Sequence, residues 1–503
     1  MSMNDSKNAR DYFEQSIDKR AIPENSARGL RVDFASQSLK FILLVISNIC
    51  LARLLMPEDF GLVAMAVAFT GFLILFRDMG ISAAIIQKET ISDAETSNVF
   101  WLNLCVTISL SALIFMAAPL ITSFYADQRL NAILQVIALI FVIEGIAQLH
   151  YALLKRNMLF KKIAAIQVLA LALGVTGGIW AALGGLNYWS LLLMQLINVS
   201  IMTLGYWYQC RWRPQLYDSK TDIRGLLKFG GFMTANSIAT YLNRNSDDIL
   251  IGRVLGGIAT GYYSRAYSLL NLPLGQIVSP MTSVAVPALS RSKSYPDAYA
   301  KLYYSYVSSL SYLTMPMIAY LGSNASILIP LLLGEHWLVS AELFQILAIT
   351  VFFQPLASST GWIFVSSGRA REMFIAAALA VPIIVGAIFI GLDYGVSGVA
   401  YCYVIASNSL ILPVMFYSYH STSIELLQTL KKIIFPMVLS AVIIFCHLVT
   451  EVVLVAESPL VLLVTSTLLS GLFVIVIYLL SEGVRTDLKS VLSIFKMRRE
   501  ISK

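Results

Sequence analysis

Most polar side chains of this sequence lie between long apolar runs, but a few sit inside them, and those are the ones with chemistry to explain. Asp33, Gln37 and Lys40 recur at three- and four-residue spacing in the first run, followed by Ser47 and Asn48. Asn236, Thr240, Asn243, Arg244, Asp247 and Asp248 do the same in another run, and Glu144 and Arg265 stand in two more. Such spacing places most of each set on one helix face. A charge at the centre of a membrane span costs roughly 2.5–3.5 kcal/mol, so a face of this kind is expected to turn towards the bundle interior or a wet cavity. Lysine and arginine hold phosphate oxygens by charge-assisted hydrogen bonds. Lys40, Arg244 and Arg265, with the amides of Gln37, Asn48 and Asn243, therefore form a candidate binding set for an anionic ligand. Plainer readings stand beside this one: Arg244 can pair with Asp247 or Asp248 on its own helix, and Glu144 can hydrogen-bond between helices. Arg53 and Arg253 fall at helix ends, where anchoring and gating both fit.

Catalytic and metal-binding patterns are missing. The sequence holds no Gly-rich phosphate loop ending in Lys-Ser or Lys-Thr, no HExxH and no paired CxxC. The five cysteines are scattered, and the four histidines (His150, His336, His420, His447) have no companions at ligand spacing. The chain is expected to be no enzyme, to hold no metal or organic cofactor and to bind no nucleic acid.

The elements that must position these residues are membrane helices. Of 503 residues, 57% are hydrophobic and 13% charged, with a mean hydropathy of +0.74; soluble domains carry about a quarter charged residues. Apolar runs of spanning length fall near 33–54, 60–78, 97–118, 131–152, 162–182, 187–208, 229–253, 260–290, 301–322, 343–366, 372–391, 396–417, 432–452 and 460–480, which predicts an all-α integral membrane fold of about fourteen helices. With the N-terminus inside, alternate loops collect 30 of the 36 Lys and Arg, against three (Arg53, Arg129, Arg253) in the outward segments. The positive-inside rule then puts both termini in the cytoplasm. The first 33 residues hold no apolar stretch fit for a signal peptide, so the first span is expected to direct insertion. The tail KSVLSIFKMRREISK reads as a solvated basic end, or as a helix lying along an anionic leaflet.

Two stretches match at a shift of 200, LARLLMPEDFGLVAMA from Leu51 and IGRVLGGIATGYYSRA from Ile251; Arg53 meets Arg253 and Gly61 meets Gly261. Each block opens a set of six spans, and six is even, so the halves are expected to form a parallel repeat about an axis along the membrane normal. The organisation that follows is a cytoplasmic segment 1–32, an N-lobe 33–208, a cytoplasmic linker 209–228, a C-lobe 229–418, two further helices within 419–481 and a basic tail 482–503. Polar residues in the equivalent spans one and seven point to a hydrophilic cavity between the halves. The cluster Tyr206, Trp207, Tyr208 and Trp212 is expected to form an interfacial belt.

The run VDFASQSLKFILLVISNICLARLLMPEDFGLVAMAVAFTGFLILFRDMGISAAIIQ, with NSDDILIGRVLGGIATGYYSRAYSLLNLPL and VAVPALSR in the second half, resembles the polysaccharide transporter family, and within it the colanic-acid and xanthan exporter branch of the Wzx-type lipid-linked oligosaccharide flippases. The resemblance covers about residues 28–420. It implies the fold of the MOP exporter superfamily, two six-helix lobes plus two helices, in a bacterial inner membrane. The implied cargo is an undecaprenyl-pyrophosphate-linked glycan, with membrane lipids and the polysaccharide polymerase and co-polymerase machinery as partners. It also implies drive by an H+ or Na+ gradient, for which Asp247, Asp248 and Glu144 are the candidate carboxylates. Rival readings are a multidrug exporter, whose cationic cargo would favour acidic cavity residues, and a peptidoglycan-precursor (lipid II) flippase. A membrane polymerase or ligase is disfavoured by the short outward loops.

Overall fold

The computed structural model describes residues 22–78, 85, 91–218, 241, 245–453 and 458–480, and everything it describes of regular structure is helical. Asn243 and Arg244, two of the expected ligand-binding residues, lie outside the described residues, as does most of the run 229–253. Eleven described helices are long and apolar enough to cross a membrane, or twelve if one bent pair counts as a single span. Large apolar side chains stand uncovered along them, such as Met116, Trp180, Leu204 and Ile405. On a soluble protein such a surface would aggregate, but in a bilayer it meets lipid.

Two compact units divide the chain at Gly261 and Tyr262. The first contains α1 (Ile22–Leu54), α2 (Pro57–Asp78), α3 (Asp93–Tyr125), α4 (Arg129–Arg156), α5 (Phe160–Leu183), α6 (Trp189–Cys210), the helical residues 245–254 and the first turn of α8 (Gly256–Ser292). Here α5 packs on α6 and α1, and α3 and α6 pack on α4. Helix α3 starts at a capping box: Ser92 Oγ accepts from the Glu95 amide and Glu95 Oε2 from the Ser92 amide, satisfying two of the amides a helix start leaves open. The α5–α6 seam is built on small residues. A Cβ on Gly174 would come within 2.8 Å of the Met194 carbonyl oxygen, and one on Gly178 within 2.8 Å of Met194 Cβ, so the helices approach closer than larger residues permit.

The linker begins as a strap. Residues 211–218 run along the N-terminal end of α3, where Asn98 exchanges two hydrogen bonds with the Asp218 backbone, Ser97 accepts from the Gln215 amide and Asp93 accepts from Trp212 Nε1 at 2.7 Å. Trp212 and Tyr206 are buried, and Trp207 stacks on His150 at 4.1 Å. The expected aromatic belt is thus largely core, with Tyr208 the exposed member of the four.

The second unit holds the rest of α8, α9 (Pro296–Ser323), α10 (Ala325–Leu333), α11 (Leu338–Phe352), α12 (Gln354–Ser367), α13 (Ala370–Leu392), α14 (Gly395–Tyr419), α15 (Leu426–Val453) and α16 (Pro459–Leu480). Its strongest pairings are α9 with α15 and α13 with α14. Two stretches differ from expectation. The single run 343–366 is two helices broken at Phe353, because Pro355 in the first turn of α12 has no amide to continue the ladder of α11. The stretch 323–342, expected from the sequence to be an outward loop, contains the short helix α10, bent 75° from α9 at buried Asn324, whose side chain donates to the Tyr320 carbonyl and accepts from Ser466 Oγ.

Candidate functional site

Lys40 lies in α1 within the span Ser36–Leu54, and two neighbouring helices hold it. Its ammonium donates to Gln167 Oε1 of α5 at 2.8 Å; Gln167 Nε2 donates to the Tyr206 hydroxyl of α6 at 3.1 Å, and that hydroxyl reaches Met202 Sδ at 3.8 Å. Gln167 offers a dipole and no counter-charge, so what this contact supplies is the orientation of the ammonium. On the same helix Gln37 is exposed, and Asn48 spends its amide on the Leu44 carbonyl one turn back, at 2.7 Å. Gln167, a lone amide in the apolar run IAAIQVLALALG, was overlooked in the sequence, although that isolation is itself a signal.

Asp247 and Asp248 sit on the helical residues 245–254. Asp247 is 2% exposed and its Oδ1 accepts from the Asp248 amide at 3.0 Å. Asp248 Oδ1 is buried with no hydrogen-bond partner among the described residues. Around this segment the Tyr125 hydroxyl donates to the Met65 carbonyl, and the Tyr241 hydroxyl to the carbonyls of Val67 and Ala68. A carboxylate taken from water is stable only with a cation, a proton or a full set of donors, which makes the buried Asp248 Oδ1 the atom to account for here.

A close helix crossing lies beside them. A Cβ on Gly61 would fall 1.7 Å from the Gly257 carbonyl oxygen, and one on Gly261 would fall 1.9 Å from the Pro57 carbonyl oxygen. Gly61 and Gly261 are the two glycines matched by the repeat, and their backbones meet: a Cβ on Gly61 would come within 2.9 Å of the Gly261 amide nitrogen. The start of α2 and the first turn of α8 therefore touch main chain to main chain.

The remaining candidates are dispersed. Glu144 of α4 forms an ion pair with Arg77 of α2, whose guanidinium also lies 5.2 Å from the Phe141 ring centroid. Arg265, in the second unit, is 7% exposed and packs 5.9 Å over the Trp337 ring. Arg53 and Arg253 are exposed, and Arg253 lies over Phe124 at 5.5 Å. Among the described residues no group of His, Cys, Asp and Glu could hold a metal ion.

Residues 50–342, more than half of the chain, match the family described as "Polysaccharide biosynthesis protein". The chain belongs to this family. It is 26% identical over 316 residues to the teichuronic acid biosynthesis protein TuaB of Bacillus subtilis, covering 61% of this chain and 64% of that one. It is 26% identical over 330 residues to the lipopolysaccharide biosynthesis protein WzxC of Escherichia coli, covering 64% and 66%. The matches thus span about two thirds of these relatives' lengths. In three dimensions the chain is similar to the lipid II flippase MurJ, with a TM-score of 0.69 at 15% identity over 89% of this chain and 98% of that one. It is also similar to an inward-facing multidrug MATE transporter of the MOP superfamily, with a TM-score of 0.61 at 17% identity over 76% and 94%. The protein is a multi-pass membrane protein with the MOP fold.

Proposed function

We propose that this protein is a transporter that carries an undecaprenyl-pyrophosphate-linked oligosaccharide repeat unit from the inner to the outer leaflet of a bacterial inner membrane. The observation that carries the reading is Lys40: a member of the polysaccharide biosynthesis family keeps an ammonium within a membrane span and orients it through the neutral Gln167. A cation so placed suits a pyrophosphate better than the cationic cargo of a multidrug exporter. The fold shared with a lipid II flippase agrees with a lipid-linked glycan as cargo. In this reading Lys40, Arg244 and Arg265, with Gln37, Asn48 and Asn243, hold the head group. Asp247, Asp248 and Glu144 take up the coupling H+ or Na+, and Arg53 and Arg253 act at the outward ends. The two repeat halves, 33–208 and 229–418, alternate access, two further helices make fourteen spans, and both termini are cytoplasmic.

The test is depletion in the native host, with lipid-linked oligosaccharides read by mass spectrometry and surface polymer in parallel. One complete repeat unit should accumulate on the cytoplasmic side as polymer disappears. A repeat unit that reaches the outer leaflet while polymer is lost would point to a polymerase or ligase, and an accumulating peptidoglycan precursor would move the cargo to lipid II. Unchanged intermediates with altered drug susceptibility would favour a multidrug exporter.

A further inference from the structure

The second unit contains a cavity of about 520 Å³ between α9, α11 and α15, within the range of small-molecule sites. Ile318, Ala348, Phe352 and Ile444 make its apolar wall. Ile444 is 40% exposed on a helix long and apolar enough to cross a membrane, so the cavity opens at the protein surface and is not a sealed core. Ser323, Ser326 and Gln345 interrupt the apolar lining, and α15 adds two titratable side chains. His447 is 6% exposed, and its buried Nδ1 has no hydrogen-bond partner among the described residues; its Nε2 lies 3.9 Å from Glu451 Oε2. Glu451 itself is 61% exposed at the mouth.

The order of these groups along α15 matches the order of groups in a phospholipid. Glu451 is in the last turn, at the level of the head groups. His447 is one turn deeper, about 6 Å along the axis at 1.5 Å per residue, where glycerol ester carbonyls lie. Ile444 and the apolar wall continue into the acyl region. We infer that this cavity is a binding site for an aminophospholipid of the phosphatidylethanolamine class, its ammonium on Glu451, an ester carbonyl accepting from His447 and one acyl chain in the cavity. The carboxylate at the mouth selects the amine head group, because an anionic head group without an ammonium would face like charge there. This site is separate from the Lys40 network and does not rest on the transport reading.

The test uses the full chain purified and delipidated, with native mass spectrometry against equal phosphatidylethanolamine and phosphatidylglycerol of matched chains. The wild type should retain phosphatidylethanolamine in preference by roughly three- to fivefold, the range of a partly exposed ion pair. Glu451→Gln should bring that preference close to unity while lipid still binds. Ile444→Trp, at an exposed position that fills the cavity, should reduce retention of both lipids. Equal retention by the wild type, an unchanged preference in Glu451→Gln, or recovery of a polyprenyl lipid as the retained species would each overturn the assignment.

Discussion

Substituting the three glycines of the α2–α8 crossing separates backbone contact from ordinary helix packing. In Gly61→Ala the new methyl would lie 1.7 Å from the Gly257 carbonyl oxygen and 2.6 Å from its carbon, where a carbon–oxygen contact needs about 3.3 Å. Both obstacles are main chain, so no rotamer change relieves them, and the helices must part by roughly 1.5 Å. Overpacking of this kind costs about 1–3 kcal/mol when side chains share the strain, and here they cannot. Against ~3 kcal/mol stands the ~1 kcal/mol by which alanine outperforms glycine inside a helix, leaving a net loss of about 2 kcal/mol. Gly261→Ala meets the Pro57 carbonyl at 1.9 Å and should behave alike. Gly257→Ala is the internal control: its Cβ would have nothing nearer than Glu58 Cγ at 3.8 Å, so it should be neutral or slightly stabilising despite occupying the same crossing. Thermal unfolding of purified protein, followed by loss of the monodisperse chromatographic peak, should show a drop of roughly 2–4 °C for the first two and none for the third. Equal effects at all three positions, or none at Gly61 and Gly261, would refute the crossing.

Lys40→Ala should abolish repeat-unit flipping while Gln167→Leu lowers it about tenfold without loss of protein, since the ammonium survives but loses its orientation (~1.5 kcal/mol for one hydrogen bond to a charged group); a flipping assay in proteoliposomes reads both, and intact transport in Lys40→Ala sinks the cationic site. Glu144→Gln leaves Arg77 without its anion and should destabilise by about 1–3 kcal/mol, less than for a fully buried pair because both side chains keep some exposure, with Arg77→Met/Glu144→Leu recovering most of the loss in the same unfolding assay. Asp127, in the turn between α3 and α4, is held below the usual carboxylate range by hydrogen bonds from Arg129. A lowered folded-state value means stability that is full above the unfolded value near 3.9 and is lost as pH falls through the folded value. Asp127→Asn should therefore remove less than about 1 kcal/mol at neutral pH and flatten the acid limb of the unfolding curve below pH ~4.

Hydropathy and length made the helices legible because lipid demands that each span satisfy its own backbone and present apolar side chains along its whole length. Breaks within that scheme were harder to read. The run 343–366 carries its own breaker in Pro355, beside Gln354, whereas the turn at Asn324 depends on Tyr320 and on Ser466, more than 100 residues away. The aromatic cluster at the end of α6 was assigned to the interface because aromatics at span ends usually anchor there. The strap 211–218 folds back instead, burying Trp212 on Asp93.

The charged residues divide along the same line. Arg77, one of the charges counted to the inward side, lies in the last turn of α2, where its partner Glu144 comes from another helix, 67 residues on. No spacing rule joins two such residues. Lys40 was singled out correctly as a polar group in a span, but only packing shows that α5 and α6 supply the amide and the hydroxyl that aim it. Gly61 and Gly261 are the instructive case. Their identity at a shift of 200 was visible, but a pair of equal residues in apolar sequence is weak evidence until a reason for the glycine is known. Each must be glycine because the partner helix presents main chain where its Cβ would stand. The two positions form one contact, so a side chain added to either closes the same space.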